Sequence, residues 1–277
     1  MISEQFDQGL YLELPGGGDV YLRSLGRGRP VLIVHGGPGL EHSYLVSSLS
    51  ETLPDDRLLF YDQPGCGRDH AESSDASAEA SVAQLIAVIG ALAEGSRLTV
   101  IAHSWGAYVL LAGLRLLDVS DTPGTCLFVN PCGLTRERYD QAGNRLAGRV
   151  SKEVDEQIGR LASEGGRDAG AEIMRLALPY YCGYTENLPA LSFEYNLKTY
   201  NAVMSSLGNF DVRNVAETYQ GRLAVAYGGR DFILPDETRE LGACAQVLET
   251  FVNCGHFLFA EDPARFRAFA ERAMGKV

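Results

Sequence analysis

Metal-binding spacing is absent from this sequence. Its five histidines (35, 42, 70, 103 and 256) form no H-E-x-x-H pair, and its six cysteines (66, 126, 132, 182, 244 and 254) include no C-x-x-C. No metal site is expected. At 277 residues the chain buries enough surface to need no covalent staples, so the cysteines read as reduced thiols of a cytoplasmic protein. Positive charge is scarce too. The 24 Lys and Arg stand against 36 Asp and Glu, a net charge of −12, which repels phosphate backbones and argues against nucleic acid as a partner. No apolar run approaches the roughly 18 residues of a membrane span. The opening "MISEQFDQGLYLEL" has neither the basic start nor the apolar core of a secretory leader. With 45% hydrophobic and 22% charged residues, what remains is the composition of an ordinary globular chain.

Hydrophobic patterning places the elements. "LYLEL" and "DVYLRSL", joined by "PGGG", alternate as the strands of an antiparallel hairpin. "RPVLIV" (29–34), "RLLFYD" (57–62), "LTVIA" (98–102), "TCLFVN" (125–130), "RLAVAYG" (222–228) and "VLETFVN" (247–253) are short apolar runs, as expected of strands buried on both faces. Helical stretches lie near 42–53, near 79–93, after Trp105 and through "PARFRAFAERAM". Strands alternating with helices imply an α/β fold, a doubly wound, mostly parallel sheet. The alternation stops from about 133 to 208, where Val154, Ile158 and Leu161 mark one amphipathic face and Phe193, Leu197, Tyr200 and Met204 another. The expected organisation is a core of residues 1–132 and 209–277, with a helical cap (133–208) inserted between strands six and seven.

The strand-to-helix corner at 102–106 reads Ala-His-Ser-Trp-Gly. It is one substitution from G-x-S-x-G, the elbow that presents a serine nucleophile at the top of a sheet. The flanking positions must be small because two backbones pass close together there. Ser104 could instead only cap the following helix. A serine nucleophile needs a base, and the base an acid, in the chain order Ser, Asp or Glu, His. His256, in "NCGHF", is the one histidine C-terminal to the elbow, and Asp231 ends "AYGGRD". All three stand just past the C-terminal end of an expected strand. Oxyanion donors are then expected from the Trp105 backbone N–H and from the loop "HGGPG" (35–39). That loop lacks both the Gly-Lys-Ser/Thr ending and the G-x-G-x-x-G spacing of phosphate loops, so no nucleotide cofactor is implied.

With these residues assembled, the chain resembles the α/β-hydrolase superfamily over nearly its whole length. Within it the chain is most similar to the proline iminopeptidase (prolyl aminopeptidase) group, through "HGGPG", "YDQPGCGRD" (61–69), "HSWG" directly after a strand, and the Asp231 and His256 positions. The resemblance implies Gly37 as the oxyanion donor paired with Trp105. It also implies cap carboxylates that hold a substrate's free amino terminus, and Glu194 in "LSFEYNLKTY" matches one. The chain departs from the group at Ala102, commonly glycine, at Pro64, commonly arginine, and at Asp69, commonly serine. No second cap acid matches, and Phe232 follows Asp231 where some relatives are acidic.

Two readings of the cap residues stay open at this point. Glu194 in the first turn of a helix would simply complement the helix dipole. Tyr180, Tyr181, Tyr184, Phe193, Tyr195 and Tyr200 would either line a substrate pocket or form the cap's own small core. Cys66, near the expected site, reads as a spectator. The expected activity is cofactor-independent serine hydrolysis by Ser104, His256 and Asp231. The substrate is a short peptide with a free N-terminal residue, proline preferred, or else a small neutral ester, lactone or amide. A hydrolase-fold protein that binds without turnover is the rival from another class; it would need no intact triad.

Overall fold

The computed structural model describes residues 7–276 apart from 16, 184, 185 and 187. Strands β1 (Asp7–Glu13) and β2 (Asp19–Leu25) form the expected antiparallel hairpin, with Leu10 opposite Leu22 and Tyr11 opposite Tyr21. Strand β2 continues antiparallel onto β4 (Asp56–Tyr61). From β4 onward the sheet is parallel through β3 (Arg29–Val34), β5 (Thr99–His103), β6 (Thr125–Val129), β7 (Arg222–Gly228) and β8 (Val247–Phe251). The order is β1-β2-β4-β3-β5-β6-β7-β8. The central strands are buried on both faces, hence their unbroken apolar runs. Edge strand β8 alternates instead, exposing Leu248 and burying Phe251.

Helices cover both faces. Helices α1 (Ser43–Thr52), α10 (Leu258–Glu261) and α11 (Pro263–Ala273) pack on one side. Helices α2 (Ala78–Leu92), α3 (Trp105–Leu114), α8 (Val215–Thr218) and α9 (Arg239–Cys244) pack on the other. The chain moves from β3 outward to β4, then back across β3 to β5. This reversal opens a crevice at the C-terminal ends of β3 and β5, where open α/β sheets bind their ligands.

Between β6 and α8 stand four helices and, among the described residues, no strand of the sheet. They are α4 (Arg136–Ala147), α5 (Lys152–Glu164), α6 (Arg167–Tyr181) and α7 (Leu197–Ser206). Thr135, Ser151 and Asn196 cap α4, α5 and α7 with side-chain oxygens; each satisfies an otherwise orphaned N–H. Val154, Ile158 and Leu161 share the half-buried side of α5, which packs on α6.

One expectation is corrected. Phe193 and Glu194 are not helical, because α7 begins only after its cap Asn196. The residues before it run extended along the core: Glu41 N–H donates to the Glu194 carbonyl (3.3 Å) and Asn196 N–H to that of Gly39 (2.7 Å). Glu194 therefore occupies no first turn of a helix.

Candidate active site

The corner after β5 is tight because two backbones nearly touch. A Cβ on Gly106 would come within 2.4 Å of the Val34 carbonyl oxygen, so α3 could not approach β3 with any larger residue. Ala102 is wholly buried in the strand and its methyl is accommodated. Ser104 itself adopts φ 53°, ψ −118°, a conformation that costs a non-glycine residue on the order of 1–3 kcal/mol. Its side chain makes no capping hydrogen bond to α3. The simple helix-cap role for Ser104 is thus not what the geometry shows.

Asp231 lies three residues past β7 and His256 five past β8, and the two meet. His256 Nδ1 stands 2.8 Å from Asp231 Oδ2, both side chains buried. The other carboxylate oxygen of Asp231 accepts the Phe232 N–H at 2.6 Å. An acid that is acceptor-only fixes the proton on Nδ1 and leaves Nε2 as an acceptor. Ser104 and His256 line one cavity of about 200 Å³, below the ~300–1,000 Å³ of most small-molecule sites.

Gly37 lines the same cavity, with φ 131°. The preceding N–H, that of Gly36, is already committed to the Tyr44 hydroxyl at 2.7 Å. As the first residue of α3, Trp105 has a backbone N–H without an intrahelical acceptor. The Trp105 indole is fully buried outside the cavity and donates to Gln63 Oε1 at 3.0 Å.

A scaffold of buried polar groups, which sequence reasoning missed, locks the three loops together. The Tyr44 hydroxyl donates to His103 Nδ1 (2.8 Å), and His103 Nε2 donates to the His256 carbonyl (3.0 Å). Asn130 Nδ2 donates to the same carbonyl (2.8 Å) and to that of Gly255 (3.0 Å). Glu261 accepts the N–H groups of Gly255, Phe257 and Gly183, tying the His256 loop to the end of α6. Arg149 of the α4–α5 connection donates to the carbonyls of Arg230 (3.0 Å) and Asp231 (2.7 Å). Burial and the neighbouring His256 hold the His103 pKa well below the usual imidazole value, so it stays neutral, as its two hydrogen bonds require.

Glu194 is not brought to the Ser104 cavity. It faces two neighbouring depressions, one toward α5 and α6 and one toward Glu41, His42 and Arg68. Tyr195, the next residue, and Ile173 line both the Ser104 cavity and the first of these depressions. Among the other aromatic candidates, Tyr181, Tyr195 and Tyr200 line the Ser104 cavity, joined by Tyr139 and Phe232. Tyr180 instead accepts the Ser151 N–H (3.3 Å) and Phe193 stacks on Tyr44 (5.8 Å); Tyr184 lies outside the described residues.

Among the described residues, Glu41, His42 and Asp62 bring potential metal-ligand atoms within 4.8 Å of one another. These atoms already bond within the cluster and to Ser43, with His42 Nδ1 2.8 Å from Asp62 Oδ1. Burial pushes the Asp62 carboxyl up, but the hydrogen bond and charge of His42 outweigh it and the net shift is downward. All six cysteines are unpaired. Burial pushes the thiols of Cys66 and Cys132 up, Cys132 to about 12, so neither is a nucleophile near neutral pH.

The model of the family described as "Alpha/beta hydrolase family" matches residues 31–269. The chain belongs to the alpha/beta hydrolase family. A proline iminopeptidase of Heyndrickxia coagulans is 24% identical over 266 residues, covering 88% of this chain and 89% of that protein. Among solved structures, the esterase EaEST from Exiguobacterium antarcticum superposes with a TM-score of 0.68 at 17% identity, covering 97% of this chain and 100% of that one. The proline iminopeptidase of Mycobacterium smegmatis gives 0.67 at 18%, covering 97% and 98%. These likenesses establish the fold for this alpha/beta hydrolase; both esterase and peptidase names occur on it. Among its described residues no helix is long and apolar enough to cross a membrane.

Proposed function

We propose that this hydrolase cleaves esters or activated amides of a compact, uncharged acyl group through Ser104. The carrying observation is the lining of the Ser104 cavity. Its walls are Leu40, Leu146, Ile173, Met174, Phe232, Ile233 and their aromatic neighbours, and among the described residues no Asp, Glu, Lys or Arg lines it. An ammonium or carboxylate bound there would lack a countercharge, which a low-dielectric site does not tolerate.

In the proposed mechanism, His256 Nε2 takes the Ser104 proton as Oγ attacks the carbonyl carbon. Asp231 holds the imidazole in the required tautomer and stabilises the imidazolium. The backbone N–H groups of Gly37 and Trp105 receive the oxyanion. Collapse expels the alcohol or amine, which carries away the His256 proton. Water, deprotonated by the same nitrogen, then releases the acid from the acyl-serine. The unpaired thiols suit a reducing compartment, and we place the protein in the cytoplasm on that basis.

A second reading is an aminopeptidase that releases N-terminal proline. It is favoured by the name of the Heyndrickxia coagulans relative and by the small cavity, which would accept a pyrrolidine ring. A panel of p-nitrophenyl esters and aminoacyl-β-naphthylamides, free and N-acetylated, separates the two. The uncharged-acyl reading expects turnover of short-chain esters and no penalty for acetylation. Cleavage of prolyl-β-naphthylamide that acetylation abolishes would replace it with the second reading.

A further inference from the structure

Four phenol rings share the Ser104 cavity: Tyr139 from α4, Tyr181 from the end of α6, Tyr195 from the extended run before α7, and Tyr200 from α7. As packing units they need only be phenylalanines, and Phe232 and Phe257 line the same space. Their hydroxyls are the unexplained part. Tyr139 finds only the Met204 sulfur, at 3.6 Å, a weak acceptor. Among the described residues, the hydroxyls of Tyr181, Tyr195 and Tyr200 make no hydrogen bond. Burial, and after it the nearness of the Tyr200 phenol, pushes the pKa of Tyr139, Tyr181 and Tyr195 up. All are therefore neutral O–H donors at working pH, grouped around one cavity.

None of the Tyr181, Tyr195 and Tyr200 hydroxyls is a dry buried atom, so each is left to donate to whatever fills the cavity, water or ligand, and a ligand that offers no acceptor there forfeits those bonds. Among the described residues no Lys or Arg lines the cavity to balance an anion there, and no carboxylate lines it to hold a cation. We infer that the tyrosine cluster recognises an uncharged oxygen acceptor (a ketone, ether or hydroxyl oxygen) carried on the acyl part of the substrate. This rests on the hydrolase reading of Ser104 and adds its substrate class: an oxygen-bearing acyl chain rather than a plain hydrocarbon one.

The test compares p-nitrophenyl hexanoate with 5-oxohexanoate, and pentanoate with 4-oxopentanoate, each normalised to its rate with hydroxide. Wild type should favour at least one oxo ester by about tenfold in kcat/KM. Tyr181→Phe, Tyr195→Phe and Tyr200→Phe each keep the ring, and at least one should cut that preference by about 3- to 10-fold, the range for one neutral hydrogen bond. Binding to Ser104→Ala, measured by calorimetry with 5-oxohexanamide and hexanamide, reads recognition without turnover; the ketone should bind about tenfold tighter. Failure of wild type to hydrolyse any ester, with tighter ketone binding retained, would remove the hydrolase reading and leave the recognition site standing. Equal binding of the two amides, or an oxo preference that survives all three Phe variants, would overturn the inference while leaving the serine chemistry untouched.

Discussion

The ring of His103 reaches the backbone carbonyl of His256, 153 residues away, at 3.0 Å. Its other nitrogen takes the Tyr44 hydroxyl, whose oxygen in turn accepts the Gly36 N–H. One hydrogen-bonded chain thus runs from the proposed oxyanion loop, past the neighbour of the proposed nucleophile Ser104, to the proposed base His256. Tyr44→Phe breaks it in the middle and leaves a buried Gly36 N–H unpaired, a cost of about 1–3 kcal/mol. In denaturant titration the variant should lose that much stability. Its kcat should fall about tenfold with KM nearly unchanged, since Tyr44 does not line the cavity. A rise in KM at constant kcat would show that the chain does not position the reacting groups.

How much of this was legible beforehand depends on the range of the signal. Ser104, Asp231 and His256 each follow an apolar strand run, so local patterning plus chain order suffices to nominate them. The polar scaffold left no such trace. Gln63 meets Trp105 across 42 residues and Asn130 meets His256 across 126, and nothing local in either segment marks the pairing. Phe193 and Glu194 read as helical for a different reason: the helical spacing of Leu197, Tyr200 and Met204 extends backward by accident to Phe193. Asn196, a strong N-cap residue type, was the stop signal within that pattern.

Stability should fall in mild acid through His35. Burial lowers its pKa from 6.5 to about 4, and its Nε2 accepts the Gln63 N–H at 3.0 Å, a bond that protonation destroys. The unfolded chain takes up this proton first, so the contribution is fully present above pH 6.5 and is lost as pH falls toward 4. It amounts to about 3 kcal/mol. Glu41 and Asp69, whose pKa values are raised chiefly by burial, act in the opposite sense. The comparison is therefore between wild type and His35→Gln. Urea unfolding from pH 7 to 4 should show the wild type losing more stability than the variant, by up to that amount; parallel curves would contradict the assignment.

Glu194 separates the two substrate readings. Because it lies off the Ser104 cavity, Glu194→Gln should alter kcat/KM toward short p-nitrophenyl esters by less than about threefold. If the carboxylate instead met a substrate ammonium in a desolvated site, its loss would cost about 2–5 kcal/mol. That corresponds to roughly 30- to 4,000-fold on free aminoacyl substrates alone. Kinetics of the variant on both substrate types distinguish these outcomes directly.

The proposed role of Ser104 as nucleophile is tested most directly by intact-protein and peptide mass spectrometry after a fluorophosphonate probe. Wild type should gain one phosphonyl group, located on Ser104, with activity lost in proportion. Ser104→Ala should remain unlabelled and retain about 10⁻⁶ of the turnover. Asp231→Asn, with the wrong tautomer favoured at His256, should be labelled on the same serine but about 10⁴ times more slowly. Labelling of another residue, or a Ser104→Ala protein within tenfold of wild-type activity, would contradict the account.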